Sequence, residues 1–420
     1  MNNFNKGALY SIVESLFKMS TQLIMIVLLS RYLGPGKLGV FFYCIAIVAV
    51  FGFLNALGMD NILIKKFIRY ESKKNSYLKH ALLLRFISGF LCIATINLLG
   101  LLLLDQSYRL LLFVLSLHHI ALPYKVYALF FQAQGRADLA SIGSIFGLSF
   151  GFMYRLLCLY LDLSLVFLGF AYVIEALIVG YVYRCFFKEY KNKTKELKLS
   201  VGRAKKLFYE SVPLMFAGAV TLVYMKIDQI MLGRMTDEVT VGVYVSAARL
   251  TEACWFIGLA IVGVYFPKIL LVKETHGDVA YYNGIIKHGR WVVWSGIVLA
   301  CMTVIWGEVL IDFLYGDDFL RSVDVFIVTI LTVPFVYLGA ISTKMFVVDG
   351  ATSIVLIRSI FGLLMNVVLN FFLIPYYQEL GAAIALLLSY ICVCYLFNSM
   401  AKNKNVFKTQ TRVVLGLTKK

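Results

Sequence analysis

Ionisable side chains lie inside long apolar stretches of this sequence, where a charge must be paired or answered by a ligand to be tolerated. The acidic ones are Glu14, Glu175, Asp228 and Glu252. The basic ones are Lys18, Arg85, Lys125, Arg155, Arg184, Lys226, Arg249, Lys344 and Arg358. Nine cations against four anions leave a positive excess, which favours an anionic ligand.

Lys125 and Arg155 are the strongest candidates for contact with such a ligand, because neither has an acidic partner on its own predicted helix. Lys125 follows Pro123 by two residues, and a proline kink opens the helix backbone towards a cavity. An ion pair between Arg155 and Glu175 across two helices is the structural alternative. The supporting cations of the predicted site are Lys18, Lys226 and Arg249.

The four acidic residues are candidates for binding a coupling proton or sodium ion. Glu14 and Lys18 are four residues apart, and Arg249 and Glu252 are three apart, so each pair also fits a self-neutralising contact on one helix face. Lys226 and Asp228 are two apart and point to different sides of a helix.

Metal, thiol and nucleotide chemistry are not indicated. The eight cysteines lie in apolar runs without a CxxC pair, no histidine stands at zinc spacing, and no GxxxxGK[ST] phosphate loop occurs. His118 and His119 are a conceivable base for an acyltransferase, but histidine inside a helix bundle is more often a hydrogen-bonded packing residue. We therefore predict no catalytic residue, no metal and no cofactor.

The elements that position these residues are membrane spans. Hydrophobic residues make up 61% of the 420 and charged residues only 15%, which excludes a soluble enzyme, a disordered chain or a single anchor. A span needs about 20 apolar residues, so about a dozen fit this length. The predicted spans are 8–30, 39–59, 80–103, 110–133, 139–159, 165–187, 208–232, 241–266, 291–306, 325–347, 354–374 and 381–398.

Basic residues determine the predicted orientation, because loops rich in Lys and Arg stay cytoplasmic. The termini and alternate loops hold 26 basic residues, whereas the intervening loops hold five. Both termini are therefore predicted to be cytoplasmic, in contact with anionic lipids. Arg85, Arg184, Lys344 and Arg358 lie near cytoplasmic span ends and are expected to extend to headgroups. The basic run 188–206 lacks stacking aromatics, so nucleic-acid binding is not predicted.

We expect reporter fusions at Lys193 and Lys408 to report the cytoplasm and a fusion at Asp317 to report the outer face. Alkaline phosphatase and green fluorescent protein fusions measure this directly, because each is active on one side of the membrane only. A fusion on the wrong side at any of these positions contradicts the span count.

The two halves of the sequence resemble each other. Arg31–Phe41 and Arg234–Tyr244 share the spacing from Arg to Gly at an offset of 203, and 130–147 aligns with 345–362, including Gly135 with Gly350. Six spans per half give a parallel repeat, so we predict two pseudosymmetric six-helix bundles around a central cavity, a transporter architecture. The predicted parts are an N-terminal bundle (1–187), a basic linker (188–207), a C-terminal bundle (208–398) and a basic tail (399–420).

The run Arg31-Tyr-Leu-Gly-Pro-Gly with Gly39, followed by Gly58-Met-Asp60-Asn, resembles the polysaccharide-biosynthesis flippases. These are Wzx-type O-antigen translocases in the superfamily of multidrug, oligosaccharidyl-lipid and polysaccharide exporters. Length, span number, cytoplasmic termini and parallel repeat match over essentially the whole chain. Family members often carry an acidic and an aromatic residue before the second glycine, where this chain has Lys37 and Leu38; this difference concerns the outer loop only.

This resemblance implies translocation of an undecaprenyl-diphosphate-linked oligosaccharide, an O-antigen or capsule unit, to the outer leaflet of a bacterial inner membrane. It implies a basic cavity, alternating access and no enzymatic step, with a polymerase and other polysaccharide-assembly proteins as possible partners. A multidrug or small-metabolite antiporter is the alternative within the same architecture, and a membrane polymerase or acyltransferase the alternative from another class. The sugar and the coupling ion stay open; Asn366 and Asn370 are candidates for sugar contact or for helix packing.

Overall fold

The computed structural model describes residues 3–191, 200–400 and 404–417, which form helices and no strand. The helices up to residue 191 are α1 (Asn3–Val50), α2 (Gly52–Ala56), α3 (Asp60–Arg69), α4 (Lys74–Leu103), α5 (Gln106–Ser116), α6 (His118–Ala121), α7 (Lys125–Ala133), α8 (Ala137–Tyr160) and α9 (Leu165–Lys191). Those after residue 200 are α10 (Val201–Met235), α11 (Glu238–Tyr315), α12 (Ser322–Ile330), α13 (Val333–Val348), α14 (Thr352–Ile391), α15 (Phe397–Met400) and α16 (Lys404–Leu415). The predicted all-α fold is confirmed.

Nine segments of the described chain are long and apolar enough to cross a membrane. Three of them, of 61, 78 and 49 residues, exceed the length of a single crossing. A single residue with non-helical backbone angles interrupts the long helix in each of them: Gly34 in α1, Gly277 in α11 and Gln378 in α14. All three lie in loops predicted between spans. The chain is thus a multi-pass membrane protein, and the count of twelve spans stays a prediction.

The chain divides into two compact units. Unit 1 comprises residues 1–32 and 40–226, and unit 2 comprises residues 33–39 and 227–420. The boundaries predicted for bundles, linker and tail stay predictions; residues 192–199 of the linker, and 401–403 and 418–420 of the tail, lie outside the described residues. Most of the described part of the tail is α16, which buries Val406 and Val413 in unit 2.

One repeated turn has the same local geometry in both units. Gly135 and Gly350 both have a φ of 71°, in the left-handed region that favours glycine. The backbone N–H of the following residue donates to the carbonyl five residues earlier at 2.8 Å in both cases, Arg136 to Phe131 and Ala351 to Phe346. The sequence match between these segments therefore corresponds to one structural turn used twice.

The other repeated motif brings its two copies together within unit 2. A Cβ added at Gly39 would overlap the Glu238 carbonyl oxygen, and one added at Gly242 would overlap the Pro35 carbonyl oxygen. Glu238 and Pro35 are themselves equivalent at the offset of 203, so the contact is reciprocal. Only glycine allows this backbone approach.

The second copy of this motif also begins α11. The Asp237 carboxylate accepts the backbone N–H of Thr240 at 2.8 Å, the usual arrangement at a helix N-cap. This hydrogen bond holds the pKa of Asp237 below its usual range, because it favours the ionised carboxylate. This N-cap thus fixes where α11 begins, and with it the position of Gly242 in the first turns of the helix.

Candidate functional site

A cavity of about 480 Å³ lies within unit 1. Helices α1, α2, α3, α4, α7, α8 and α9 contribute its polar wall. The charged lining residues are Glu14, Lys18, Asp60, Arg85, Lys125 and Glu175. The uncharged polar ones are Asn55, Gln132, Ser144 and Tyr183. The cavity thus brings together four of the residues predicted from sequence, Lys18, Lys125, Glu14 and Glu175.

Lys125 reaches this cavity because the fourth predicted span is interrupted. Pro123 lies in a short 3₁₀ turn, Leu122–Tyr124, between α6 and α7, and Lys125 is the first residue of α7. Proline has no N–H to continue an α-helix, so the break follows from the sequence. The predicted kink beside Lys125 is confirmed, and its side chain is exposed to the cavity.

An aromatic core holds α7 against its neighbours. Phe130 and Phe131 of α7 are fully buried and pack on Phe67 of α3 and on Tyr183 and Phe187 of α9. Van der Waals packing of this kind is one of the forces that hold helices together in a membrane. Because α9 also carries Glu175, the same core fixes the two walls that bear Lys125 and Glu175.

Glu14 and Lys18 lie one turn apart on α1, and both line the cavity. The alternative of an ion pair between them is not realised: among the described residues, neither side chain has a hydrogen bond or an ion pair to another residue, and the same holds for Lys125. Lys18 and Lys125 are therefore ammonium groups available to a ligand in the described part of this cavity.

Arg155 is paired, although it has no acidic partner on its own helix. Its Nη2 donates to Glu175 Oε2 at 2.9 Å, and its guanidinium lies 4.6 Å from the centre of the Tyr172 ring. This is the alternative of an ion pair across two helices, α8 and α9. Arg155 is not among the described lining residues of the cavity, whereas Glu175 is.

Asp60 and Arg85 are site residues that the sequence prediction missed. Arg85 donates to the Asp60 carboxylate and, at 3.0 Å, to the Ala56 carbonyl oxygen; it is buried and does not extend to headgroups as expected. Leu57 and Gly58, both with positive φ, turn the chain so that Asp60 begins α3 at the cavity. The Gly58-Met-Asp60 motif was the sequence signal available for Asp60. Arg85 lies far from this motif in the sequence, so nothing there indicated that the two residues pair.

The remaining predicted residues lie outside the lining of this cavity. Arg249 and Glu252 form the predicted i,i+3 ion pair at 2.8 Å in unit 2. Asp228, also in unit 2, accepts from the Tyr244 hydroxyl at 3.0 Å and from Asn370 Nδ2 at 2.6 Å. Lys226 is the last residue of unit 1. The binding roles of Lys226 and Arg249 and the ion-coupling roles stay predictions.

Several buried polar residues have packing partners. Asn370 also donates to Asn366, and both asparagines are fully buried. Arg358 donates to the hydroxyls of Ser342 (2.7 Å) and Thr343, so its expected extension to headgroups is wrong. Hydrogen bonds of this kind, within α14 for the asparagines and from α14 to α13 for Arg358, are what polar side chains require inside a membrane protein.

The two adjacent histidines likewise bond the backbone of neighbouring helices. His118 Nδ1 donates to the Tyr172 carbonyl at 3.0 Å, and His119 Nε2 donates to the Val48 carbonyl at 3.2 Å. A ring nitrogen that donates to a carbonyl holds its helix in place, which agrees with the packing interpretation.

The charges around the cavity of unit 1 are nearly balanced. Three carboxylates and three cationic groups line it in the described residues. Asp60 is paired with Arg85, and Glu175 is paired with Arg155, which lies outside the lining. The charged lining residues without an ion pair among the described residues are then Glu14, Lys18 and Lys125. The positive excess counted along the spans is therefore small in this cavity, and a cationic cavity between the two halves stays a prediction.

Solved structures of known proteins share this fold. The lipid II flippase MurJ, in an inward closed conformation, superposes with a TM-score of 0.76 at 13% identity, over 97% of this chain and 91% of that one. A multidrug resistance MATE family transporter of the MOP superfamily, inward-facing, gives 0.68 at 13% identity, over 95% of both chains. The fold thus defines a multi-pass membrane protein of the architecture shared by MurJ and the MATE transporters.

The family assignment rests on sequence. The model of the family "Polysaccharide biosynthesis protein" matches residues 4–270. The capsular polysaccharide biosynthesis protein CapF of Staphylococcus aureus is 22% identical over 233 residues, 54% of this chain and 57% of CapF, so the match spans little more than half of that relative. This chain belongs to the polysaccharide biosynthesis protein family, and the predicted resemblance is confirmed.

Proposed function

We propose that this protein is a flippase that carries an undecaprenyl-diphosphate-linked oligosaccharide from the inner to the outer leaflet of a bacterial inner membrane. The proposal rests chiefly on one observation: a member of the polysaccharide biosynthesis family holds two ammonium groups, Lys18 and Lys125, in a polar cavity within apolar helices. Its likeness in fold to a lipid II flippase supports a lipid-linked substrate.

The physical problem that such a protein solves is the passage of a diphosphate and several sugars through hydrocarbon. In the cavity, the ammonium groups of Lys18 and Lys125 replace the water and counterions around the diphosphate with charge-assisted hydrogen bonds. Uncharged groups such as Gln132 and Asn55 accompany them in the lining. The polyprenyl tail stays in the bilayer, so only the polar head needs an enclosed path.

Alternating access completes the proposed mechanism. Two pseudosymmetric halves that rock about the bound head expose it first to one leaflet and then to the other. No covalent bond is made or broken, and the protein is accordingly proposed to be a transporter without enzymatic activity. Glu14, with its carboxylate in the same cavity and no partner among the described residues, is the proposed coupling residue if a cation drives the cycle.

A multidrug antiporter is the second candidate function. It is favoured by the likeness in fold to MATE transporters and by the three carboxylates of the cavity, which suit cationic drugs. The two available lysines favour the anionic substrate instead, because each repels a cationic drug.

Deletion of the gene tests the proposal. Cells without the protein are expected to accumulate finished lipid-linked units on the cytoplasmic leaflet, where an impermeant glycan-modifying enzyme added to spheroplasts cannot reach them. The intact gene on a plasmid restores access. Loss of a polymerase instead leaves single units accessible outside, and loss of a drug antiporter leaves the glycan unchanged but lowers drug resistance; either result contradicts the proposal.

A further inference from the structure

Two arginines of unit 1 are paired with carboxylates that line the cavity. Arg155 is paired with Glu175 at 2.9 Å, and Arg85 is paired with Asp60. The carboxylate side is the more open one in both pairs: the side chain of Asp60 is 56% exposed against 4% for Arg85, and that of Glu175 is 24% exposed against 11% for Arg155. The carboxylates are therefore the more accessible partners in the cavity: Arg155 lies outside its lining, and Arg85 contributes to the lining with a side chain that is almost fully buried.

Each arginine is held by a further contact, so it fixes the orientation of its carboxylate. Arg155 lies against the ring of Tyr172, and Arg85 also donates to the Ala56 carbonyl oxygen at 3.0 Å. Glu175 in addition packs closely over Gly151, where a Cβ would approach its Oε2 to 2.8 Å. The carboxylates of Asp60 and Glu175 thus each have a fixed orientation.

A carboxylate held in this way is an acceptor for hydroxyl groups. An ionised carboxylate has about four lone-pair sites, and one guanidinium bond leaves most of them open. Sugar hydroxyls can donate to these sites, and hydrogen bonds to a charged group are stronger than neutral ones. A diphosphate, by contrast, is repelled by carboxylates and attracted by the lysines of the same cavity.

We infer that Arg85 and Arg155 are positioning residues, which hold Asp60 and Glu175 as hydrogen-bond acceptors for hydroxyl groups of the translocated glycan. Lys18 and Lys125 face its diphosphate. This inference rests on the proposed function and adds to it the chemistry of sugar recognition: the head group is bound by two sets of side chains, cationic for phosphate and anionic for sugar.

Binding measurements with two related lipids test the cationic and the anionic side chains separately. The purified full-length protein in lipid nanodiscs is titrated with sugar-free undecaprenyl diphosphate and with the lipid-linked oligosaccharide extracted from cells that lack the protein. Glu175→Gln and Asp60→Asn are expected to weaken binding of the oligosaccharide lipid about tenfold, since each loses a hydrogen bond to a charged group. They are expected not to weaken binding of the sugar-free lipid, because the carboxylates repel its diphosphate. Lys18→Ala with Lys125→Ala is expected to weaken binding of both lipids.

Arginine variants test positioning as distinct from folding. Arg155→Gln is expected to weaken binding of the oligosaccharide lipid several-fold, and Arg155→Lys, which keeps a charged partner for Glu175, to recover part of it. The double variant Arg155→Gln with Glu175→Gln removes the buried charges together and should fold, yet bind the oligosaccharide lipid weakly. Arg136→Gln is the matched control, because Arg136 pairs with Asp138 outside the cavity lining.

The outcomes distinguish this inference from the proposed function. Selective loss of oligosaccharide binding in the carboxylate variants supports the inference. Equal loss for both lipids, no loss, or normal oligosaccharide binding by the neutral double variant overturns it, because the pairs then serve only the fold. If the unaltered protein binds neither lipid, the proposed function itself fails.

Discussion

Replacement of Lys125 by alanine is expected to lower glycan export about 100-fold while the protein remains inserted and abundant. The side chain is exposed to the cavity of unit 1 and has no ion-pair partner among the described residues, so its removal leaves no buried charge uncompensated. A hydrogen bond between charged groups contributes roughly 1.5–3 kcal/mol, which corresponds to about 10- to 150-fold in binding. Surface glycan per cell, against protein abundance in membranes, measures the effect.

Two comparisons make this result specific. Lys125→Arg should retain part of the export, because charge matters more than shape where two cations share a ligand, and Lys18→Ala should act in the same direction as Lys125→Ala. Lys65→Ala is the control, since Lys65 is an exposed lysine of the same unit that does not line the cavity. Normal export by the double alanine variant at positions 18 and 125 rejects the role proposed for these lysines.

Alanine at Gly39 or Gly242 is expected to destabilise the protein by about 3 kcal/mol, as overpacking against an atom that cannot move aside does. At each position the added methyl group would meet a backbone carbonyl oxygen, of Glu238 or of Pro35, and only a shift of the backbone relieves the overlap. The thermal unfolding temperature of the detergent-purified protein and its abundance in membranes should both fall.

The reciprocal geometry of this contact gives a second test. Both glycines belong to one contact, so the double alanine variant should cost less than the sum of the two single variants. Gly263→Ala is the matched control on α11, because nothing lies within 4 Å of the added methyl group and alanine is the better helix former. Additive losses, or single variants as stable as the control, show that the backbones do not meet here.

The positions of breaks and turns could be predicted from the sequence because their causes are local. Pro123 interrupts the helix before Lys125, since it lacks an N–H and its ring crowds the preceding turn. The aligned segments around Gly135 and Gly350 indicated a repeat, and both glycines have the same φ. The alternation of basic and apolar stretches likewise predicted a multi-pass helical protein.

Family membership was also determined by the sequence, because it resides in a linear motif. The segment from Arg31 to Gly39 carried the resemblance, and the family match covers it. Backbone turns and motifs of this kind depend on neighbouring residues, so no knowledge of distant contacts is needed to recognise them.

Only the tertiary structure decided which charges are compensated. Arg155 and Glu175 lie 20 residues apart on different helices, and Arg85 and Asp60 lie 25 apart. Whether two such side chains meet depends on the rotation of each helix about its axis, and apolar surroundings on all sides leave that rotation undetermined in the sequence. The packing of the helices determines these rotations. As a result, the two arginines meet carboxylates, and the lysines at positions 18 and 125 remain available to a ligand.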